Sequence, residues 1–294
     1  MTRTQRTGIF WLLFSEVCYA VMRLSTRAGA ADLPWAEIAA ARFLGGAVVA
    51  FLAARARGVS LRVGDCRNAW LRSLFGTGGA LALFHALGTK TISVGDATTL
   101  YSTTPLWVAL LSGPLLGERV AVVVWAGVAL GFAGVAVLLG AHFTAVGGIG
   151  LVVLLGGISY AIAILRLRHL SRSESSEAIA LHMSLTAGVT MLLFALPALR
   201  PVHASAYIPL AISAVSGGFG QLAVGRAYAR GAAAGMSALT YSGVLFTYLL
   251  EVALFHRVPE MHQIVGAAMV TAAGVFVSLA SASRTPVAPP MAET

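Results

Sequence analysis

GIFWLLFSEVCYA, residues 8–20, and GIGLVVLLGGISYA, residues 148–161, are two versions of one segment. Both open on Gly-Ile and close on Tyr-Ala, and Cys18 before Tyr19 matches Ser159 before Tyr160. The match extends outward. Glu37-Ile38 and Arg42 fall opposite Glu177-Ala178 and His182, and Gly134-Val135 recurs as Gly274-Val275. The offset stays at 140 or 141, nearly half of the 294 residues. Each half holds five apolar stretches long enough to cross a bilayer. Five is odd, so the second copy enters the membrane from the opposite side. Antiparallel repeats of this kind are one way of building an alternating-access transporter.

Composition requires a bilayer. The chain is 58% hydrophobic and 11% charged, with a mean hydropathy of +0.84, against about 25% charged residues in soluble domains. The net charge of +9 and the sequence pI of about 10.4 are figures that nucleic-acid binders also show. No soluble stretch is long enough to carry such a function, and loop arginines that orient a membrane protein account for the charge. No nucleic-acid partner is expected. Cys18 lies in the first apolar stretch and Cys66 in a polar loop, which argues against a disulfide. No metal-ligand spacing is present. Arg3 and Arg6 precede an apolar run as in a secretory signal, but the run is too long and ends in Arg23 and Arg27, so it reads as an uncleaved first helix.

A helix needs about 20 apolar residues to span the hydrocarbon core. Ten stretches qualify: 8–28, 36–54, 70–88, 92–116, 121–139, 146–165, 177–197, 205–228, 234–255 and 261–282. The expected class is an all-α polytopic membrane protein of two inverted five-helix repeats around a central cavity. Residues 1–140 form the first repeat, 141–283 the second, and the Pro-rich stretch 284–294 a disordered cytoplasmic tail. With the N-terminus in the cytoplasm, thirteen Arg residues, Arg72 among them, fall on the inner side. Only Arg27, Lys90, Arg200 and Arg257 fall on the outer side, and Arg23, Arg42 and Arg226 lie within spans. That bias, together with the even number of spans, puts both termini in the cytoplasm.

The second stretch reads Ala39-Ala40-Ala41-Arg42-Phe43. The fourth carries Ser102-Thr103-Thr104-Pro105-Leu106 and then Gly117-Glu118-Arg119, and the fifth carries Gly127, Gly131 and Gly134-Val135. In order and spacing this resembles the ten-helix EamA-type exporters of the drug/metabolite transporter superfamily, and most of all the bacterial exporters of aromatic and other neutral amino acids. The resemblance covers nearly the whole chain. It implies that the third, fourth, eighth and ninth helices form moving hairpins around a central cavity. The first and sixth would also line that cavity, with the fifth and tenth packed behind. The second half departs from the pattern. Gly243 stands near the place of Pro105, and His256-Arg257 near that of Glu118-Arg119, so the two hairpins are expected to play unequal parts.

Ionisable groups inside the spans are the first candidates, because a charge at mid-membrane needs a partner or a wet cavity. Glu16 and Arg23 stand seven residues apart on one face of the first helix, too far for direct contact. Either they polarise a cavity that receives a zwitterion, or they pair with other helices, or Arg23 snorkels to the outer surface. Arg42 is expected to pair with Glu16 or Glu37, Glu251 either to close an outer gate with Arg23 or Arg42 or to face the headgroups, and Asp96 to cap the fourth helix. His85 is either a proton relay or an interface residue. Thr98, Tyr101, Thr104 and Val108 share a face of the fourth helix, where Pro105 is a candidate hinge. Pro105 also frees the Tyr101 carbonyl for substrate or water. Tyr241, Leu245 and Tyr248 form a comparable face, with Ser242 and Gly243 at the break, where Gly243 is a second candidate hinge. Tyr19, Trp107, Tyr160 and Gln221 complete the candidate lining, with ordinary membrane packing as the alternative. Trp11, Trp35, Trp70 and Trp125 lie at span ends and suit an interfacial belt.

The expected function is export of small amphipathic metabolites, amino acids including aromatic ones, across a bacterial inner membrane by a monomer. A small-molecule substrate and the lipid bilayer are the expected partners. No cofactor and no metal are expected, and no phosphate-binding G-x-x-x-x-G-K-[ST] loop occurs. The rival substrates are drugs, nucleotide sugars or phosphorylated sugars, which would call for several converging Lys or Arg. An intramembrane enzyme would need a catalytic constellation that Glu16, His85 and Glu251 do not form. A scaffold would have no use for two interconvertible halves.

Overall fold

The computed structural model describes residues 3–30, 33–116, 122–139, 143–199, 204–230 and 238–282. Gly117-Glu118-Arg119, Arg200, Ala234 and the tail from Arg284 lie outside them. The described residues form α1 (Arg3–Gly29), α2 (Trp35–Arg57), α3 (Cys66–Thr89), α4 (Val94–Tyr101), α5 (Thr104–Leu116), α6 (Val122–Leu139), α7 (Phe143–Leu170), α8 (Ser176–Ala195), α9 (Ala204–Arg230), α10 (Ser242–Phe255) and α11 (Met261–Ala282). Short 3₁₀ turns occur at Leu196–Ala198 and Ala238–Tyr241. No strand occurs among them. Five helical stretches are long and apolar enough to cross a membrane by themselves: Arg6–Gly29, Trp35–Arg57, Gly147–Leu170, Ser176–Ala198 and Ala204–Ala229. Trp125–Leu138, Ser242–Phe255 and Met261–Phe276 are shorter apolar helices.

The pattern of helix packing carries the repeat. α1 lies along α9 and α3 along α7, and exchanging the two halves converts each pair into the other. α2 against α9 and α3 against α8 are a second exchanged couple. α10 against α1, with α4 and α5 against α7, makes a third. α2 with α8 and α6 with α11 are their own images. Two repeats related by a pseudo-two-fold axis generate this arrangement.

Small residues set the close approaches, as they do where helices pack within lipid. A Cβ on Gly134 of α6 would lie 2.9 Å from the Val270 nitrogen and 3.1 Å from the Gly266 oxygen of α11. α6 and α11 therefore meet backbone to backbone. Large apolar side chains such as Phe51, Leu52, Leu193, Phe194, Leu245 and Leu249 point outward, as a lipid-facing surface requires. One buried cluster gathers Leu87, Leu100, Leu138, Tyr241 and Val270. Another gathers Leu12, Ala69, Leu167, Leu170 and Ala227. Gly58 closes α2 in the left-handed conformation (φ 61°), and the same conformation falls on Lys90 and His256 at the ends of α3 and α10.

The stretch 92–116, expected as one helix, is broken after Tyr101. Pro105 has no N–H to give the Tyr101 carbonyl. That carbonyl does not remain free as expected, because the Thr104 hydroxyl donates to it at 2.6 Å and the Thr103 hydroxyl donates to Leu100 O at 2.8 Å. The break supplies its own donors, which keeps non-helical backbone tolerable within a membrane.

Candidate substrate site

Two tyrosines meet where the two halves face each other, and a third, Tyr19, lies within electrostatic range of both. Tyr101 of α4 and Tyr160 of α7 have ring centroids 5.3 Å apart. Gly79 of α3 leaves room for both: a Cβ there would stand 2.8 Å from the Tyr101 hydroxyl and 3.0 Å from Tyr160 Cβ. Tyr19 of α1 donates to Gln221 Oε1 of α9 at 3.2 Å, and its ring lies against Gly220. Ser159 donates to the Phe75 carbonyl at 2.7 Å, holding α7 to α3 beside the rings.

Glu16 and Arg23 both reach Gly243 at the start of α10. Any side chain at position 243 would collide with the Glu16 carboxylate and would stand 3.3 Å from Arg23 Nη2. Gly243, expected as a hinge, gives clearance to these two side chains. Arg23 donates to the Thr247 hydroxyl at 3.2 Å, and that hydroxyl donates to Gly243 O. Both Glu16 and Arg23 are buried.

Several expected partners differ. Arg42 joins neither Glu16 nor Glu37 among the contacts seen. It donates to Gly217 O at 3.1 Å and Met22 Sδ at 3.2 Å, with its guanidinium carbon 3.9 Å from the Phe43 ring centroid. Glu251 meets neither Arg23 nor Arg42. It accepts from the backbone N–H groups of Val94 (3.2 Å) and Gly95 (2.8 Å), where a carboxylate complements the first turn of α4. The N-cap of α4 is Ser93, which accepts from the Asp96 N–H at 2.8 Å. The Asp96 carboxylate points away from that turn and accepts from Tyr248 at 2.8 Å and Gln263 at 2.6 Å. Asp96 and Glu251 thus cross over, and α4, α10 and α11 are tied together at this end. Tyr248 belongs to that tie, with its ring against Gly95.

The remaining candidates are dispersed. Thr98 bonds back to Val94 O at 2.7 Å. Trp107 donates to Thr103 at 3.2 Å and packs edge-on against Phe132 of α6. His85 lies edge-on to Trp35, with centroids 5.4 Å apart. Tyr241 is buried in a hydrophobic cluster against Gly274, and Ser242 opens α10. Thr104 sits between the Tyr101 and Gly157 carbonyls, 2.6 and 3.4 Å away. Cys18 is a buried free thiol and Cys66 an exposed one.

Two features escaped the sequence. Arg72, counted on the inner side in the orientation tally, is 1% exposed. It lies along its own helix beside Gly76, 3.4 Å from Met183 Sδ, with its guanidinium 5.8 Å from the Tyr160 ring. The readable sign was helical spacing, because Arg72, Gly76 and Gly79 fall on one face of α3. The second feature is Glu177, which accepts from Arg57 at 2.6 Å and Arg226 at 2.8 Å, while Arg226 lies 4.8 Å from the Trp11 ring centroid. α1, α2, α8 and α9 are joined there. Nearby, Asp65 caps α3, and the Asn68 side chain and backbone N–H that donate to it hold its carboxyl below the ordinary value. No cluster of metal-ligating side chains occurs among the described residues.

Rings, hydroxyls and charges are thus gathered inside the helix bundle. A solved structure described only as "Crystal structure of protein" superposes with a TM-score of 0.70 at 21% identity, over 94% of this chain and 97% of that one, and shares the fold. No curated protein matches. The model of the EamA-like transporter family matches residues 6–140 and again 148–279, one match to each half. The chain belongs to the EamA-like transporter family and is a membrane transporter of the drug/metabolite type.

Proposed function

We propose that the protein exports small amphipathic metabolites, amino acids including aromatic ones among them, across a bacterial inner membrane by alternating access. It acts as a monomer with both termini in the cytoplasm. One observation carries this reading: Tyr101 and Tyr160 pack ring to ring, with Tyr19, Glu16 and Arg23 within electrostatic range of them, and Glu16 and Arg23 reach the same glycine. Rings with a few placed polar groups suit an amphipathic solute. Arg23 faces its carboxylate, Glu16 its ammonium, and the rings its side chain. Rocking of the two halves would present this midplane site to each side in turn.

The test is counterflow of labelled amino acids in proteoliposomes, alongside thermal-shift screening against all twenty. Saturable counterflow is expected, with Tyr101→Leu weakening aromatic substrates roughly tenfold through loss of a ring contact. Absence of counterflow for every amino acid would overturn the reading. The rival anionic substrates, phosphorylated sugars and nucleotide sugars, gain support from one observation: the burial of Arg72 adds an inward arginine to Arg23 and Arg42.

A further inference from the structure

We propose that the species carried in this site bears a net negative charge, as an organic carboxylic acid whose oxyanion group docks on Arg42 and Arg72. The proposal rests on the transporter reading above and narrows its substrate class. Arg23, Arg42 and Arg72 are 6%, 2% and 1% exposed. All three guanidinium groups and the Glu16 carboxylate lie within electrostatic range of the Tyr160 hydroxyl, and Arg42 lies within range of Arg72. Around the Tyr160 hydroxyl, three cations therefore stand with one carboxylate. The other buried carboxylates with contacts described above are engaged elsewhere. Glu177 holds Arg57 and Arg226, Glu251 holds the first turn of α4, and Asp96 holds Tyr248 and Gln263.

Arg42 and Arg72 form no ion pair among the described residues. Their protein acceptors are one carbonyl and two thioether sulfurs, and sulfur is a weak acceptor. Arg42 Nη1, Arg72 Nε and Nη2, and Arg23 Nε are buried without a hydrogen-bond partner, as are the hydroxyls of Ser184 and Thr77. Arg42 Nη1 and Ser184 Oγ approach the same glycine, Gly46, its Cβ position being 3.8 and 3.4 Å from them.

Buried N–H donors of this kind are costly to leave unmade, more so when charged. A zwitterion brings no net charge, so it leaves the excess of positive charge as it was. An acid with one or two more carboxylates than ammonium groups neutralises that excess and gives the planar guanidinium forks the oxygens they fit. The tyrosine rings then take its apolar body.

Counterflow and thermal shift with four probes sharing a phenyl ring test this: phenylalanine, phenylacetate, phenylsuccinate and phenyl phosphate. Phenylsuccinate is expected to act at about tenfold lower concentration than phenylalanine. Arg42→Met and Arg72→Met should each remove about that advantage, with Arg→Lys at either position restoring part of it. If the Met variants do not fold, the ranking on the wild-type protein decides. Phenylalanine acting at the lowest concentration overturns the negative charge and leaves the transporter reading standing. Counterflow of none of the four overturns both. A preference for phenyl phosphate upholds the charge and overturns the carboxylic acid.

Discussion

Gly274 leaves free the space that Tyr241 fills: a Cβ there would meet the phenol carbon and hydroxyl of that ring. Gly274→Ala should therefore force the ring aside and lower stability by about 1–3 kcal/mol, the usual cost of overpacking a core. A thermal midpoint equal to that of the wild type would refute this contact. Single residues were also where sequence reading failed most. Asp96 stands in the first turn of α4, and local rules give it the cap. Glu251, distant in sequence, takes the backbone N–H groups of that turn, leaving Asp96 to bind Tyr248 and Gln263. Nothing in the local pattern says which carboxylate another helix will deliver. Arg72 failed differently. It stands near the inner end of the third stretch and was counted with the flanking charges, whereas its neighbours in space are Met183 and Tyr160.

Helices were far more legible, because a run of about 20 apolar residues has few alternatives in lipid. Pro105 announced a disturbance in the fourth stretch. The hydroxyls of Thr103 and Thr104, which satisfy the carbonyls at that break, were visible as residues but not as partners. The start of α3 offers a test at this scale. Asp65 accepts from Asn68 twice, and His169 Nε2 lies 3.4 Å away. Its folded-state pKa is lowered, with the Asn68 side-chain hydrogen bond as the largest cause. Its contribution is therefore present above the unfolded value, about 3.9, and is lost as pH falls through the folded one. Amide hydrogen exchange in the first turn of α3 should quicken, relative to the other helix starts, below roughly pH 4. Asp65→Asn keeps a capping oxygen without a titration and should remove that pH dependence. A pH dependence unchanged in Asp65→Asn would disprove the assignment.

At the scale of the whole molecule, Glu177 joins α2, α8 and α9 through two arginines, one half exposed and the other 18% exposed. Glu177→Ala takes the shared carboxylate from both, and removing one partner of a buried pair costs roughly 3 kcal/mol. Faster exchange at the joined ends of α2, α8 and α9, with a lower thermal midpoint, is the expected result. Unchanged exchange there would show that the cluster holds nothing. The duplication was legible because Gly-Ile, Tyr-Ala and Gly-Val recur at one offset, but which helices touch across it was not, since packing partners leave no periodic trace. Those partners fall into exchanged couples, α1 on α9 with α3 on α7, and self-paired sets, α2 on α8 and α6 on α11. In a cycle that swaps the roles of the halves, permuting their labels turns one conformation into its counterpart. Two identical halves would make the pair degenerate. Under the proposed export by alternating access, a bias toward one side of the membrane then resides in the positions where the halves disagree, such as Pro105 against Gly243.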